Sequence, residues 1–288
     1  MNTMNDNTKS VAIMAGPVGC AMILDVFENS HLPLEHFADP LTSFWLLSHS
    51  VNICDIHTES NAQQLALEHA ADHADIARAI VRNPAFAWWY EPIDTSSQVW
   101  LSHRRPYENV LLPDQLDPFE PDSWRPPHSP ALVPNTILQT TSTLKDRTTS
   151  EVTAYALYSA DHIAEFPLAA WRITFHQDVK VWEINHPSDW HRLCTTYPAR
   201  CVDGRLIPDW PSIAADWDGV HISLGGVLSC DQVRFEQDGE WSMLNFWHSE
   251  HTQWLRPLDI SGERMGDFQR EPHRITLSRY PYPGFRLD

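Results

Sequence analysis

Positive charge is what this 288-residue chain has least of: 20 Lys and Arg stand against 38 Asp and Glu, for a formal net charge of -18. Such a surface repels phosphate backbones and anionic lipid, so nucleic acid and membrane surfaces are poor first expectations, and a small molecule or a protein suits it better as partner. Cysteine is also scarce. The five, at 20, 54, 194, 201 and 230, form no C-x-x-C pair and leave one over, which fits the reduced thiols of a cytosolic protein better than a disulfide framework. No stretch reaches the ~18 uninterrupted apolar residues that a spanning helix needs. Val11 to Leu24 comes nearest, and Pro17-Val18-Gly19-Cys20 is close to a lipoprotein cleavage box. The side chains before it carry no net positive charge and Gly16-Pro17 interrupts the run, so a cytoplasmic chain is expected rather than an exported one.

What the chain does have is apolar and aromatic content. Hydrophobic residues make up 42%, 13 of them Trp, and only 20% are charged, which argues for a folded protein. The length fits one large domain, or a domain with a helical extension. Pro17, Pro33 and Pro40 cut the first fifty residues into short helices. Asn61 to Arg82 is the clearest helix, with Ala62, Ala66, Ala70, Ala74, Ala77 and Val81 as its stripe and Leu65, Ile76 and Ile80 widening it. His69 and His73 lie four apart on it, but no Glu follows His69, so a solvated face is expected there rather than a metal pair. Past Pro84 the periodicity fades, which sets a boundary near residue 95 between a helical region (1–95) and a strand-rich domain (96–288).

In that second part Val99-Trp100-Leu101 reads as a strand entering a loop. Pro106 to Pro134 holds eight prolines and reads as one long ordered loop of the kind that covers or carries a site. Thr136 to Leu144 has strand composition, and Thr148 with Glu151 fits a capping box for a helix to about His162. Trp171 to Phe175 and Val179 to Ile184 read as a hairpin, Pro187 to Tyr197 and Ile213 to Asp216 as helices. Gly219 to Leu228 reads as a strand interrupted at Gly225-Gly226, with the Trp241 to Arg256 segment as the next strand and Ile275 to Tyr280 as the last. The fold class expected is α+β.

Trp241 to Arg256 is aromatic on both flanks, yet carries His248, Ser249, Glu250 and His251 at its centre, a costly set to bury unless paired or used. Around it the chain resembles the cholera and pertussis class of ADP-ribosyltransferases. Val99 to Val110, V-W-L-S-H-R-R-P-Y-E-N-V, is similar to that family's first motif, V/L-Y-R-x-D-S-R-P-P-x-x-V/I, with Val99, Arg105-Pro106 and Val110 on matching positions and Leu101 on the arginine's. Gln139 to Thr143 resembles the second motif, S-T-S, and Trp247 to Gln253 the third, Q-x-E, with His248 in place of the Gln. The three follow in the family's order over somewhat more than half of the chain.

This resemblance implies an ADP-ribosyltransferase-like split β-sheet, NAD as substrate, and transfer of ADP-ribose to an unidentified acceptor. Glu250 would stabilise the ribosyl cation, and a hydroxyl of Ser142 or Thr141 would orient it by a hydrogen bond. Trp100 or Tyr107 would stack on the nicotinamide, while one of His103, Arg104 and Arg105 would hold the pyrophosphate. His248, two residues before Glu250 on the same strand face, would orient or deprotonate the acceptor. Two other classes fit parts of the pattern. One is a catalytically inactive binding protein that keeps the scaffold; the other is a non-haem iron oxygenase in which His248 and Glu250 join His273 as ligands, with Arg274 or Arg279 holding an acidic co-substrate.

Overall fold

The computed structural model describes residues 5–54, 62–102, 129–132, 138–142, 168–245, 247 and 249–268. Its first part is helical: α1 (Asp6–Ile13), α2 (Pro17–Glu28), α3 (Pro40–Ile53), α4 (Ala62–Ala70), α5 (Ala74–Arg82) and a 3-10 helix at Pro84–Tyr90. The prolines that looked like interruptions in fact start elements. Pro17, Pro40 and Pro84 each occupy the first turn, where the missing N–H costs nothing and the fixed φ is already helical. Asp39 accepts a bond from the Thr42 N–H and caps α3.

Apolar except for Asp25 and Glu28, α2 is buried nearly all round, with Asp25 held 2.9 Å from His49 Nδ1. It turns 96° from α1. A side chain at Gly19 would place its Cβ 2.0 Å from the Ile13 carbonyl oxygen and 2.7 Å from that of Leu228, so the close turn needs glycine there. No single helix among the described residues is long and apolar enough to cross a membrane.

The continuous helix expected over 61–82 is broken into α4 and α5 by a 3-10 turn at Ala71–His73. The cause is tertiary: α4 packs on α2 and α5 on α1, and one straight helix cannot follow two that diverge by 96°. Ala66, Ala70, Ala77 and Ile80 are buried as the stripe implied, but Leu65 is 45% exposed and does not widen it. His69 is exposed and His73 stacks on Phe27, with ring centroids 3.7 Å apart, so the two imidazoles have separate surroundings.

The strands begin with β1 (Gln98–Ser102) and β2 (Gln139–Ser142), followed by β3 (Leu168–Phe175), β4 (Val181–Ile184), β5 (Pro198–Arg200) and β6 (Leu206–Pro208). After these come β7 (Gly219–Ile222), β8 (Arg234–Gln237), β9 (Glu240–Met243), β10 (His251–Trp254) and β11 (Ile260–Phe268). Among them lie α6 (Pro187–Thr196), α7 (Trp210–Asp216) and α8 (Leu224–Cys230). The strands form a seven-stranded sheet in the order β11-β3-β1-β2-β10-β7-β4 and a four-stranded one in the order β5-β6-β9-β8. The protein is thus α+β, with mixed sheets.

β3 and β4 are both present but form no hairpin, since β3 lies between β11 and β1 whereas β4 pairs in parallel with β7 at the far edge. Five inter-strand spacings of ~4.8 Å would separate them by ~24 Å in a flat sheet. The link from Phe175 to Val181 can reach no more than ~22 Å fully extended. The sheet therefore curls. Trp100, Leu138, Ile173, Trp254, Leu258 and Ile260 form a small core within the curl, against which Phe175, Val179 and Val181 also pack. Ile184, Val220 and Ile222 join the larger core shared with the helices, which leaves the 1–95 region without a core of its own.

Gly219 to Leu228 is a strand only to Ile222; Ser223 then caps α8 through the Gly226 N–H, and both glycines lie inside that helix. The close approach expected at them is real: a Cβ at Gly225 would meet the Tyr90 ring at 2.4 Å, and one at Gly226 the Ile184 carbonyl oxygen at 2.2 Å. Trp241 to Arg256 is likewise two strands, β9 and β10, rather than one. The helix expected from 148 to 162, the strand at Ile275 to Tyr280 and most of the Pro106 to Pro134 loop lie outside the described residues. Gly226→Ala should lower stability in urea denaturation by about 1–3 kcal/mol, because the obstructing atom is backbone and cannot swing aside.

Candidate active site

The strand pattern places an unusual polar row in the sheet. β4 and β7 set Glu183 directly beside His221, β7 and β10 set His221 beside Thr252, and β10 and β2 set Thr252 beside Thr140. Register neighbours point to one face, and Val181 and Trp254, two residues along, put that face toward the small core. Trp182, Ile184, Val220 and Ile222 point the other way, to the helices. The polar row thus lies on the concave side of the curl.

Glu250 is in the bend that leads into β10 rather than in the ladder itself. Its carboxylate accepts from the Thr141 hydroxyl at 2.7 Å through Oε2 and lies 3.1 Å from His221 Nε2 through Oε1. The other imidazole nitrogen, Nδ1, is 2.5 Å from Glu183 Oε2, and Glu183 Oε1 accepts the Ile93 backbone N–H at 3.0 Å. His221 is 1% exposed and the Glu250 side chain 9%. Burial alone would depress the imidazole pKa, but the hydrogen bonds and charges of Glu183 and Glu250 outweigh it and raise it to about 9. The imidazole is therefore a cation at neutral pH, with a proton for each carboxylate.

On the opposite face, His251 stacks on Trp247 with centroids 4.8 Å apart and an 18° tilt, within a cluster that includes Trp190 and Trp210. Its Nδ1 is 2.8 Å from the Ser249 carbonyl oxygen, and its Nε2 is 3.2 Å from Gln253 Nε2. With the amide as donor, Nδ1 carries the ring proton.

Of the residues singled out by sequence, Glu250 and Thr141 are in contact. Ser142 follows Thr141 in β2, but its side chain is outside what the structure describes, as are His248, His103, Arg104, Arg105 and Tyr107. Glu250 lies in a bend rather than in a strand, and its expected relation to His248 falls outside the described residues. Trp100 is 8% exposed and packs in the small core 6.4 Å from Trp171, which leaves little of its ring for a ligand. β1 sets Gln98, not a cation, against Ser142, and runs from there past the level of Thr140 and Thr252. Of the proposed iron ligands, His248 and His273 are outside the described residues. Among those described, no three His, Cys, Asp or Glu side chains are grouped to hold a metal ion.

Glu183 and His221 were missed. The signal was present, since each is the lone ionisable residue of an otherwise apolar strand, V-W-E-I and G-V-H-I. A charge inside such a strand needs a partner on the next one.

Searches of protein-family models, curated proteins and solved structures gave no match.

A raised imidazole pKa links stability to pH with a definite sign. Between the ordinary value near ~6.5 and the folded value of about 9, the folded state holds a proton that the unfolded state lacks. The His221 contribution is complete below that window and is lost as pH rises through it. Urea denaturation should show stability falling from pH 6.5 to pH 9 by an amount on the order of 2 kcal/mol. His221→Gln should flatten that fall while lowering stability at pH 6.5.

Proposed function

We propose that the chain transfers ADP-ribose from NAD to an acceptor, releasing nicotinamide, with Glu250 as the residue that faces the reacting carbon. The observation that carries this reading is the Thr141–Glu250 hydrogen bond, made between residues 109 apart in sequence. It joins the second and third motifs of the transferase resemblance. Those motifs and the Val99-Trp100-Leu101 part of the first lie on or at three adjacent strands, β1, β2 and β10. The curled seven-stranded sheet is read, on the same ground, as the split sheet of that family.

In the proposed reaction the bond between C1′ of the nicotinamide ribose and the ring nitrogen breaks, and its electron pair leaves with neutral nicotinamide. The ribosyl carbon becomes cationic, and the Glu250 carboxylate, held in a nearly water-free setting, stabilises that charge. An acceptor nucleophile then bonds to C1′ and gives up a proton; with water as the acceptor the product is free ADP-ribose. A protein side chain or a small molecule suits the net charge of -18 better than nucleic acid does. One of His103, Arg104 and Arg105 is expected to hold the pyrophosphate, and Tyr107 to stack on the nicotinamide.

Purified protein incubated with NAD, alone and with cell lysate, should release nicotinamide. Glu250→Gln should cut that rate by ~10²- to 10³-fold, with circular dichroism and most NAD affinity unchanged. Thr141→Val should cost about 1 kcal/mol, or roughly fivefold. Full release by Glu250→Gln would refute the site. NAD binding without release in the unaltered chain would favour the inactive binding-protein reading.

A further inference from the structure

We propose that His221 and Glu183 are positioning residues for Glu250, His221 by clamping its carboxylate and Glu183 by neutralising the clamp. This rests on the transferase reading above but concerns residues to which the motif resemblance assigns no role. Glu250 lies in a bend, so the ladder does not fix its side chain. Its orientation comes from partners borne on ordered strands: Thr141 on β2 holds Oε2 and His221 on β7 holds Oε1. Two oxygens held from the two strands that flank β10 leave the carboxylate plane little freedom.

Charge explains the second carboxylate. Two buried carboxylates alone would repel each other, and one would take up a proton and lose its value to a cation. A lone imidazolium beside Glu250 would cancel its negative charge, again weakening its hold on a ribosyl cation. Glu183, His221 and Glu250 together carry one net negative charge, which is what the reaction needs facing C1′. Glu183 cannot easily turn away, because its other oxygen takes the Ile93 N–H at 3.0 Å. Among the described residues, the charged groups bonded to His221 are Glu183 from β4 and Glu250 from the start of β10; Thr252, its register neighbour, is uncharged. The imidazole pKa of about 9 agrees with a clamp that stays charged at working pH.

The test uses the full chain and two variants, Glu183→Gln and His221→Gln, with nicotinamide release measured against pH and histidine-labelled protein followed by NMR. Glu183→Gln removes the neutralising charge, so kcat should fall about tenfold or more with KM changed less than about threefold. His221→Gln should move the acid limb of the pH profile upward by ~1 unit or more, an effect that mere loss of packing would not produce. In NMR the His221 ring should stay protonated past pH 8 in the unaltered protein and titrate at lower pH in Glu183→Gln. Unchanged kcat and pH profile in both variants of an active protein, or a His221 ring titrating near its ordinary ~6.5, would overturn the inference. An unaltered protein that binds and cleaves no NAD marks failure of the transferase reading instead. The positioning role then falls with it, and the NMR titration still decides whether the clamp exists.

Discussion

A buried imidazole with a carboxylate on each ring nitrogen is the interaction on which the rest of this site depends. It ties β4, β7 and the start of β10 together through side chains as well as through the backbone ladder. Removing one member would leave a charge in a region where water cannot compensate it, at a cost of about 3–5 kcal/mol. The chain keeps the set because each member is satisfied: both nitrogens have acceptors, and the outer oxygens take the Ile93 N–H and the Thr141 hydroxyl.

That arrangement depends in turn on the helices. β4 and β7 present Ile184, Val220 and Ile222 to the large core on the face opposite Glu183 and His221. α2, buried nearly all round, and α8, drawn close by Gly225 and Gly226, belong to that core. The helical layer fixes the two strands from behind, and the curl of the sheet encloses their polar face from the front. A site of this kind is positioned by apolar packing it never touches.

How much of this was legible in the sequence depended on whether the signal was local. The fold class, α6, β2 and the helical character of the first ninety residues follow from composition, caps and periodicity, which are properties of neighbouring residues. The Thr141–Glu250 pairing was reachable because both ends stand out locally, Thr141 in a hydroxyl cluster at the end of a strand and Glu250 as a carboxylate within an aromatic segment. The false hairpin at 171–184 and the unbroken helix at 61–82 failed for the opposite reason. In each case a distant partner, β7 for β4 and the turned α1–α2 pair for α4 and α5, decides the geometry. β11 escaped notice because Glu263, Arg264 and Asp267 hide its alternation, as charges on an edge strand do. His221 and Glu183 were visible as ionisable residues in apolar strands, but only the register shows that they are opposite one another.

The most direct test is a crystal structure with a carba-analogue of NAD, in which the bond to nicotinamide cannot break. The account places the ribose carbon that carries nicotinamide against the Glu250 carboxylate, with Thr141 and His221 still bonded to it. Dinucleotide bound away from Glu250, or a Glu250 released from His221 and turned from the ligand, would contradict it.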